Sequence, residues 1–215
     1  SALTGRIGSK TAVGVLTTIH DGSDNLVPYP DHALFLALRG AGQGAVMQAI
    51  WIYPRAVDLA AISRFHRNLY GGLLGRRIER SPLPFGRHRW VAAPDDEDNF
   101  DVADQPRKRE ELFDWADEQV ERPLDPEWGP AWRLGVQPFT DGSTAVSMVV
   151  SHCIADGTGS VLAALEAMNG VQRDLGYPPP RARPRLRALR ADLRQLRRDL
   201  PEIARTAAAA ARVVF

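Results

Sequence analysis

A chain of 215 residues is long enough for one large domain or two small ones, and a composition of 44% hydrophobic and 25% charged residues is that of a globular protein with a buried core. A net charge of +1 argues against a polyanionic partner, so no nucleic acid is expected, and the single cysteine, Cys153, excludes a disulfide framework or a cysteine-rich metal site. No apolar run approaches the ~20 residues needed to span a bilayer, and the polar, glycine-dotted start does not resemble a signal peptide. The expectation is a cytoplasmic protein, soluble or peripheral on the inner face of the cell membrane.

Residues 1–27 read as a flexible arm or edge strand, with alternation only at Val13-Gly14-Val15-Leu16-Thr17-Thr18-Ile19. Pro30-Asp31 opens a short apolar run to Leu38, a capped helix ended by Gly40, Gly42 and Gly44. Ala45 to Tyr53 is a strand, expected to be central because both of its faces are apolar. Asp58 caps a helix with Leu59, Ile62, Phe65 or His66, Leu69 and Leu73 at helical spacing, until Gly71-Gly72 and Gly75 loosen it. His88 to Ala93 reads as a further strand. The acids Asp95, Asp96, Glu97 and Asp98 lack the glycine turn and terminal glutamate of a calcium loop, so they read as a solvated connector. Arg107 to Val120 is a helix closed by Pro123-Leu124-Asp125-Pro126. Ala131–Phe139 and Ser143–Cys153 are alternating strands joined by Thr140-Asp141-Gly142, a strong hairpin signal. A helix with Val161, Leu162, Leu165 and Met168 follows and ends at Gly170. The triple proline 178–180 marks a linker.

Charge is uneven along the chain. Residues 181–215 hold ten arginines against Asp192, Asp199 and Glu202. There Leu186, Leu189, Leu193, Leu196, Leu200 and Ile203 recur in three- and four-residue steps, a seam suited to a partner helix, an anionic membrane surface over 185–212, or packing on the chain's own domain. Residues 28–177 thus form the main domain, and 178–215 a proline linker plus a basic amphipathic helix.

The hairpin strand ends in Ser151-His152-Cys153-Ile154-Ala155-Asp156-Gly157, at a strand-to-helix crossover. A histidine held there with one ring nitrogen free can take a proton from a hydroxyl as a general base; a core histidine beside an ordinary Asp-Gly turn is the competing reading. Asp156 has a structural role, fixing the turn through backbone NH groups or an arginine, and Gly157 would allow a positive φ or a close approach of the helix behind it. Strand alternation turns Cys153 and Ser151 away from His152, no nucleophile elbow is present, and the remaining histidines have no zinc-like spacing, so no metal is expected.

Several segments together resemble one family. Ser151 to Gly157 is similar to the His-His-x-x-x-Asp-Gly motif of bacterial wax ester synthase/diacylglycerol acyltransferases, in the chloramphenicol-acetyltransferase-like superfamily that includes peptide-synthetase condensation domains. Arg122-Pro123-Leu124-Asp125 with Pro130-Ala131-Trp132-Arg133-Leu134, Pro30-Asp31 with Phe35-Leu36, and Gly86-Arg87-His88-Arg89-Trp90-Val91 resemble further segments of it. Ser151 replaces the first histidine of the pair, while the second, the base in the superfamily, is His152. The resemblance covers roughly residues 28–205. It implies an α/β, two-layer sandwich with a mixed, mostly antiparallel sheet and flanking helices, as one of two related halves, here the amino-terminal one. It implies transfer of a fatty acyl group from acyl-CoA, a substrate and not a bound cofactor, to diacylglycerol or a long-chain alcohol, with His152 as base and Asp156 and Gly157 supporting the motif. The carboxy-terminal half, from the same precursor or a second chain, would be a partner. The same fold also serves condensation-type and polyketide-tailoring acyltransferases with carrier-protein donors, and non-catalytic lipid- or partner-binding modules.

Overall fold

A computed structural model describes residues 25–42, 44–84, 86–94 and 98–214. The elements run α1 (Tyr29–Ala41), β1 (Val46–Tyr53), α2 (Leu59–Leu69), β2 (Arg76–Glu79), β3 (Arg89–Ala92), β4 (Phe100–Val102), a 3-10 turn leading into α3 (Leu112–Glu121), β5 (Trp132–Pro138), β6 (Thr144–Ser151), α4 (Gly157–Met168) and α5 (Arg185–Val214). The alternating segment at 13–19 and the acids at 95–97 lie outside the described residues.

The main sheet has the order β1-β6-β5-β4, antiparallel except for β4, which runs parallel to β5. β2 and β3 form a separate antiparallel pair. The fold is therefore α/β with a mixed, mostly antiparallel sheet and flanking helices. The hairpin β5–β6 forms where Asp-Gly demands it: Gly142 has φ 86°, and the Asp141 carboxylate accepts from the Ser143 backbone NH at 2.9 Å.

Strand alternation sorts the two faces of the sheet. Val146, Met148 and Val150 of β6 join a cluster with Phe65 and Leu69 of α2 and Ala163, Ala164 and Ala167 of α4. Ala145 faces the other way, packing with Leu112 and Trp115 of α3 and with Phe139. Small residues on the inner face of α4 allow α2 to approach it, and the Asn68 amide donates to the Ala167 carbonyl at 2.9 Å. Trp132 is 1% exposed, and its indole NH donates to the Leu74 carbonyl at 3.0 Å. Beside it the His66 ring shares a 2.6 Å hydrogen bond with the Asn99 side chain and stacks on Phe100, which fixes α2 over β4.

Three sequence expectations change. Among the described strands β1 pairs with β6 alone and lies at the end of the sheet rather than at its centre. Its apolar residues on one side pack on α2 and α4, whereas Ile52 on the other is 49% exposed. α1 has no side-chain cap; Pro28 and Tyr29 open it, Asp31 lies in its first turn, and Gly42 closes it with φ 73°. Finally, of the three readings of the α5 seam, packing on the chain's own domain is not carried by Leu186, Leu189, Leu193 or Leu200. Ala188 and Asp192 are its buried residues over the first two turns, while Leu186, Leu189, Leu193 and Leu200 are exposed. Asp192 accepts from Ser81 Oγ at 2.5 Å and pairs with Arg89 and Arg183 at 3.3 and 3.5 Å, which ties the basic helix to β2 and β3. Among the described residues, no helix is long and apolar enough to cross a membrane.

Candidate active site at the β6–α4 crossover

The motif is built by backbone bonds before any side chain acts. The Ser151 NH donates to the Ala131 carbonyl at 3.0 Å and the His152 NH to the Ala45 carbonyl at 2.9 Å, so the crossover is held by both neighbouring strands. A tight turn follows, with the Ile154 NH donating to the Ser151 carbonyl at 2.9 Å. Asp156 is the N-cap of α4; its carboxylate accepts from the Gly159 NH at 2.7 Å. Substituting such a cap typically costs ~1 kcal/mol.

Gly157 needs neither the positive φ nor the close approach expected of it. It is the first helical residue, and a side chain there would meet only Met47 Sδ at 3.8 Å. The close approach falls two residues later. A Cβ on Gly159 would lie 3.1 Å from the Asp156 carboxylate and 3.4 Å from both Ala155 and Leu73. The cap is thus the tight contact at 159, where any side chain would press on the Asp156 carboxylate by a few tenths of an ångström.

His152 is half-buried. Its Nδ1 is enclosed and has no hydrogen-bond partner among the described residues. Two further residues share its neighbourhood, Asp31 and, not singled out from the sequence, Arg76. Asp31, projected from the first turn of α1, has its carboxyl pushed up by burial, while the charges of Arg76 and His152 pull it down and Asp156 adds to the rise. Arg76 reaches from β2 and donates to the Ile154 carbonyl at 2.5 Å and to the Tyr177 hydroxyl at 3.1 Å, with its guanidinium 3.8 Å above the Trp90 ring. It clamps the motif turn through a main-chain oxygen. Such a long-range contact leaves no spacing signal, although Asp31 does sit in the resemblance segment Pro30-Asp31.

The Arg-Pro-Leu-Asp segment positions α1. Arg39 forks onto Asp125 at 2.6 and 2.9 Å and reaches Glu127 at 2.9 Å, and Asp125 also accepts from the backbone NH groups of Glu127 and Trp128. Asp125 is thereby held below the usual carboxylate range despite its burial. Cys153 is 1% exposed with its thiol pushed up by burial, so the thiolate is disfavoured. His88 is buried and neutral, 4.4 Å ring to ring from His32, and no group of three His, Cys, Asp or Glu side chains among the described residues has the geometry of a metal site.

No family model matches the chain. Two Mycobacterium tuberculosis proteins, from strains CDC 1551/Oshkosh and H37Rv, provisionally named diacylglycerol O-acyltransferases, are each 32% identical to it over 116 residues. That is 52% of this chain but only 23% of theirs. Among solved structures, the starter condensation domain of rhizomide synthetase bound to C8-CoA superposes with TM-score 0.57 at 12% identity, over 67% of this chain and 34% of that one. The first condensation domain of the calcium-dependent antibiotic synthetase, with a substrate analogue, gives 0.54 at 17% identity, over 67% and 37%. The tallysomycin biosynthesis protein TlmII gives 0.53 at 17%, over 83% and 47%. The chain has the condensation-domain fold. Its sequence is similar to proteins named as diacylglycerol acyltransferases, as the motifs imply, and it spans less than half the length of each of these relatives.

Proposed function

We propose that this chain is the histidine-bearing half of an acyltransferase that moves a fatty acyl group from coenzyme A to the hydroxyl of diacylglycerol or a long-chain alcohol. The observation that carries the reading is His152 itself: a half-buried imidazole with one enclosed nitrogen, on a crossover fixed by Asp156 and Arg76, in a fold otherwise met in acyl-transferring condensation domains. His152 Nε2 takes the acceptor's proton as its oxygen attacks the thioester carbonyl. The new C–O bond forms, the C–S bond breaks, and the imidazolium returns the proton to the departing thiolate. General-base assistance of this kind contributes ~10²–10⁴-fold, and orientation of the two substrates supplies the remainder. No bound cofactor is required.

The second half, from the same precursor or a separate chain, would supply the opposite wall of the site. Ile52 of β1, exposed at the end of the described sheet, supports a surface that another element covers. The similarity in fold to condensation domains keeps a carrier-protein donor as a second reading, and the two donors are separated by offering the same acyl group on coenzyme A and on a carrier. The test of the main reading is thiol release from acyl-CoA by the full-length protein in the presence of a long-chain alcohol. His152→Ala should abolish it with folding unchanged, and a variant that keeps more than a tenth of the rate would overturn the assignment.

A further inference from the structure

Strand β5 carries a charge into the layer beneath α3. Its residues Trp132, Leu134 and Val136 join the core shared with α2 and α4, so Arg133, Gly135 and Gln137 face the other way. Helix α3 covers that face: a Cβ on Gly135 would lie 2.6 Å from Gln119 Oε1 and 3.4 Å from the Trp115 ring. Arg133 is 7% exposed and Gln119 4%.

Both side chains are buried with bonding capacity unmet. Nε and Nη1 of Arg133 are enclosed and have no hydrogen-bond partner among the described residues, and the same holds for Gln119 Oε1. Arg39 and Arg76 also leave Nε unmet, but their other two nitrogens are bonded, to Asp125 and Glu127 and to Ile154 and Tyr177. The acids around Arg133 are otherwise engaged or exposed. Asp101, paired with Gly135 across β4 and β5, is held by Arg122 at 2.6 Å, and Asp98 stands in solvent. Burial pulls the Arg133 guanidinium below its usual range and the charge of Arg122 pushes the same way, while Asp101 and Asp98 act against them. An unpaired cation buried in this way is costly, and folded proteins meet such groups with a counter-charge or ordered water.

The way in is past Arg122 and Asp101, which form a rim 43% and 47% exposed. Along β5, Arg133 and Gly135 are about 6.6 Å apart, a gap that an arginine side chain and one bound group span together. Arg133 calls for an anion, and Gln119 Oε1 beside it calls for a hydrogen-bond donor. Sulfate and an ionised carboxylate bring acceptors alone. A phosphoryl group that keeps a P–OH brings both. From this geometry we infer that Arg133 and Gln119 bind a phosphoryl group, whose oxygens accept from the guanidinium and whose hydroxyl donates to Gln119 Oε1. The ligand is inorganic phosphate or a phosphate monoester, free or on a lipid headgroup. The inference stands apart from the acyltransferase reading, since none of its residues belongs to the β6–α4 crossover.

Titration calorimetry of the full-length protein with inorganic phosphate at neutral pH tests it. Saturation below about 10 mM is expected, with sulfate and acetate about tenfold weaker or more because they offer Gln119 no donor. Arg133→Met should abolish the binding. Since it removes an unpaired buried charge, the variant should melt no lower than the wild type without phosphate, and phosphate should raise the Tm of the wild type alone. Gln119→Met should bring phosphate down to the affinity of sulfate, and it serves where Arg133→Met impairs folding. An absence of saturation, equal affinity for phosphate and acetate, or undiminished binding by Arg133→Met would overturn the inference. Glycerol 3-phosphate and phosphatidate in phosphatidylcholine vesicles separate the sources. Binding that depends on Arg133 with the first identifies a soluble ester, and with the second alone a lipid headgroup; dependence with neither would overturn the monoester assignment.

Discussion

Asp192 decides whether the basic helix belongs to the domain. It is 2% exposed and receives Ser81 Oγ, Arg89 and Arg183, so the helix is anchored by charge at a point the leucine seam does not touch. Asp192→Asn keeps the shape and one acceptor but removes the charge facing two guanidinium groups. Breaking a buried ion pair costs ~3–5 kcal/mol; Arg183 is 30% exposed and the amide still accepts from Ser81, so about 2–3 kcal/mol is expected here. For a chain of this size that corresponds to about 5–9 °C in Tm. Thermal and urea unfolding measure the loss, and trypsin cleavage at Arg185, Arg187 and Arg190 should accelerate as α5 detaches. A change below about 0.5 kcal/mol with an unaltered cleavage pattern would refute the anchoring role.

Burial holds His88 at about 4, below the ordinary histidine value, and lowers His32 and His66 in the same direction. The folded chain therefore binds fewer protons than the unfolded chain between about pH 6.5 and 4. The stability from His88 is complete above about 6.5 and is lost as pH falls towards 4, a change on the order of 3 kcal/mol. Urea titrations from pH 7.5 to 4.5 should show this slope, and His88→Gln should flatten it; an unchanged slope in the variant would contradict the assignment. Arg76→Met, which releases the Ile154 carbonyl, should lower kcat at least tenfold with KM for acyl-CoA within threefold, and an unaffected kcat would reject its positioning role. The outward leucines and arginines of α5 should bind vesicles containing anionic lipid at low salt and release them at high salt, with neutral vesicles unbound. Binding that is indifferent to lipid charge or to salt would reject an anionic membrane surface as their partner.

Local patterns carried much of the fold. The Asp-Gly hairpin, the helices over 59–69 and 157–168 and the strand-to-helix crossover are all legible because propensity, turn chemistry and periodicity agree within a few residues. What failed were non-local relations. The parallel pairing of Phe100–Val102 with β5 joins segments some thirty residues apart, and nothing in the short run Asn99-Phe100-Asp101-Val102 announces it. Both faces of β1 are apolar, yet its place at the end of the described sheet depends on which strands surround it. In α5 the leucine spacing left three partners open, and nothing in it announced that a buried carboxylate met by two arginines would tie the helix to its own domain. At the site, His152 and Asp156 were visible from the motif. Arg76 and Gly159 were not, since one acts through a main-chain carbonyl and the other through the space its missing side chain leaves.

In the proposed reaction His152 acts as a base on the acceptor, without an acyl-enzyme. A single turnover of acyl-labelled palmitoyl-CoA with hexadecanol, quenched over time, tests it most directly. Thiol release and ester formation should rise together at one rate, with no label on the protein, and His152→Ala should slow both by ~10²–10⁴-fold. A burst of thiol ahead of ester, with label retained on the chain, would contradict the account.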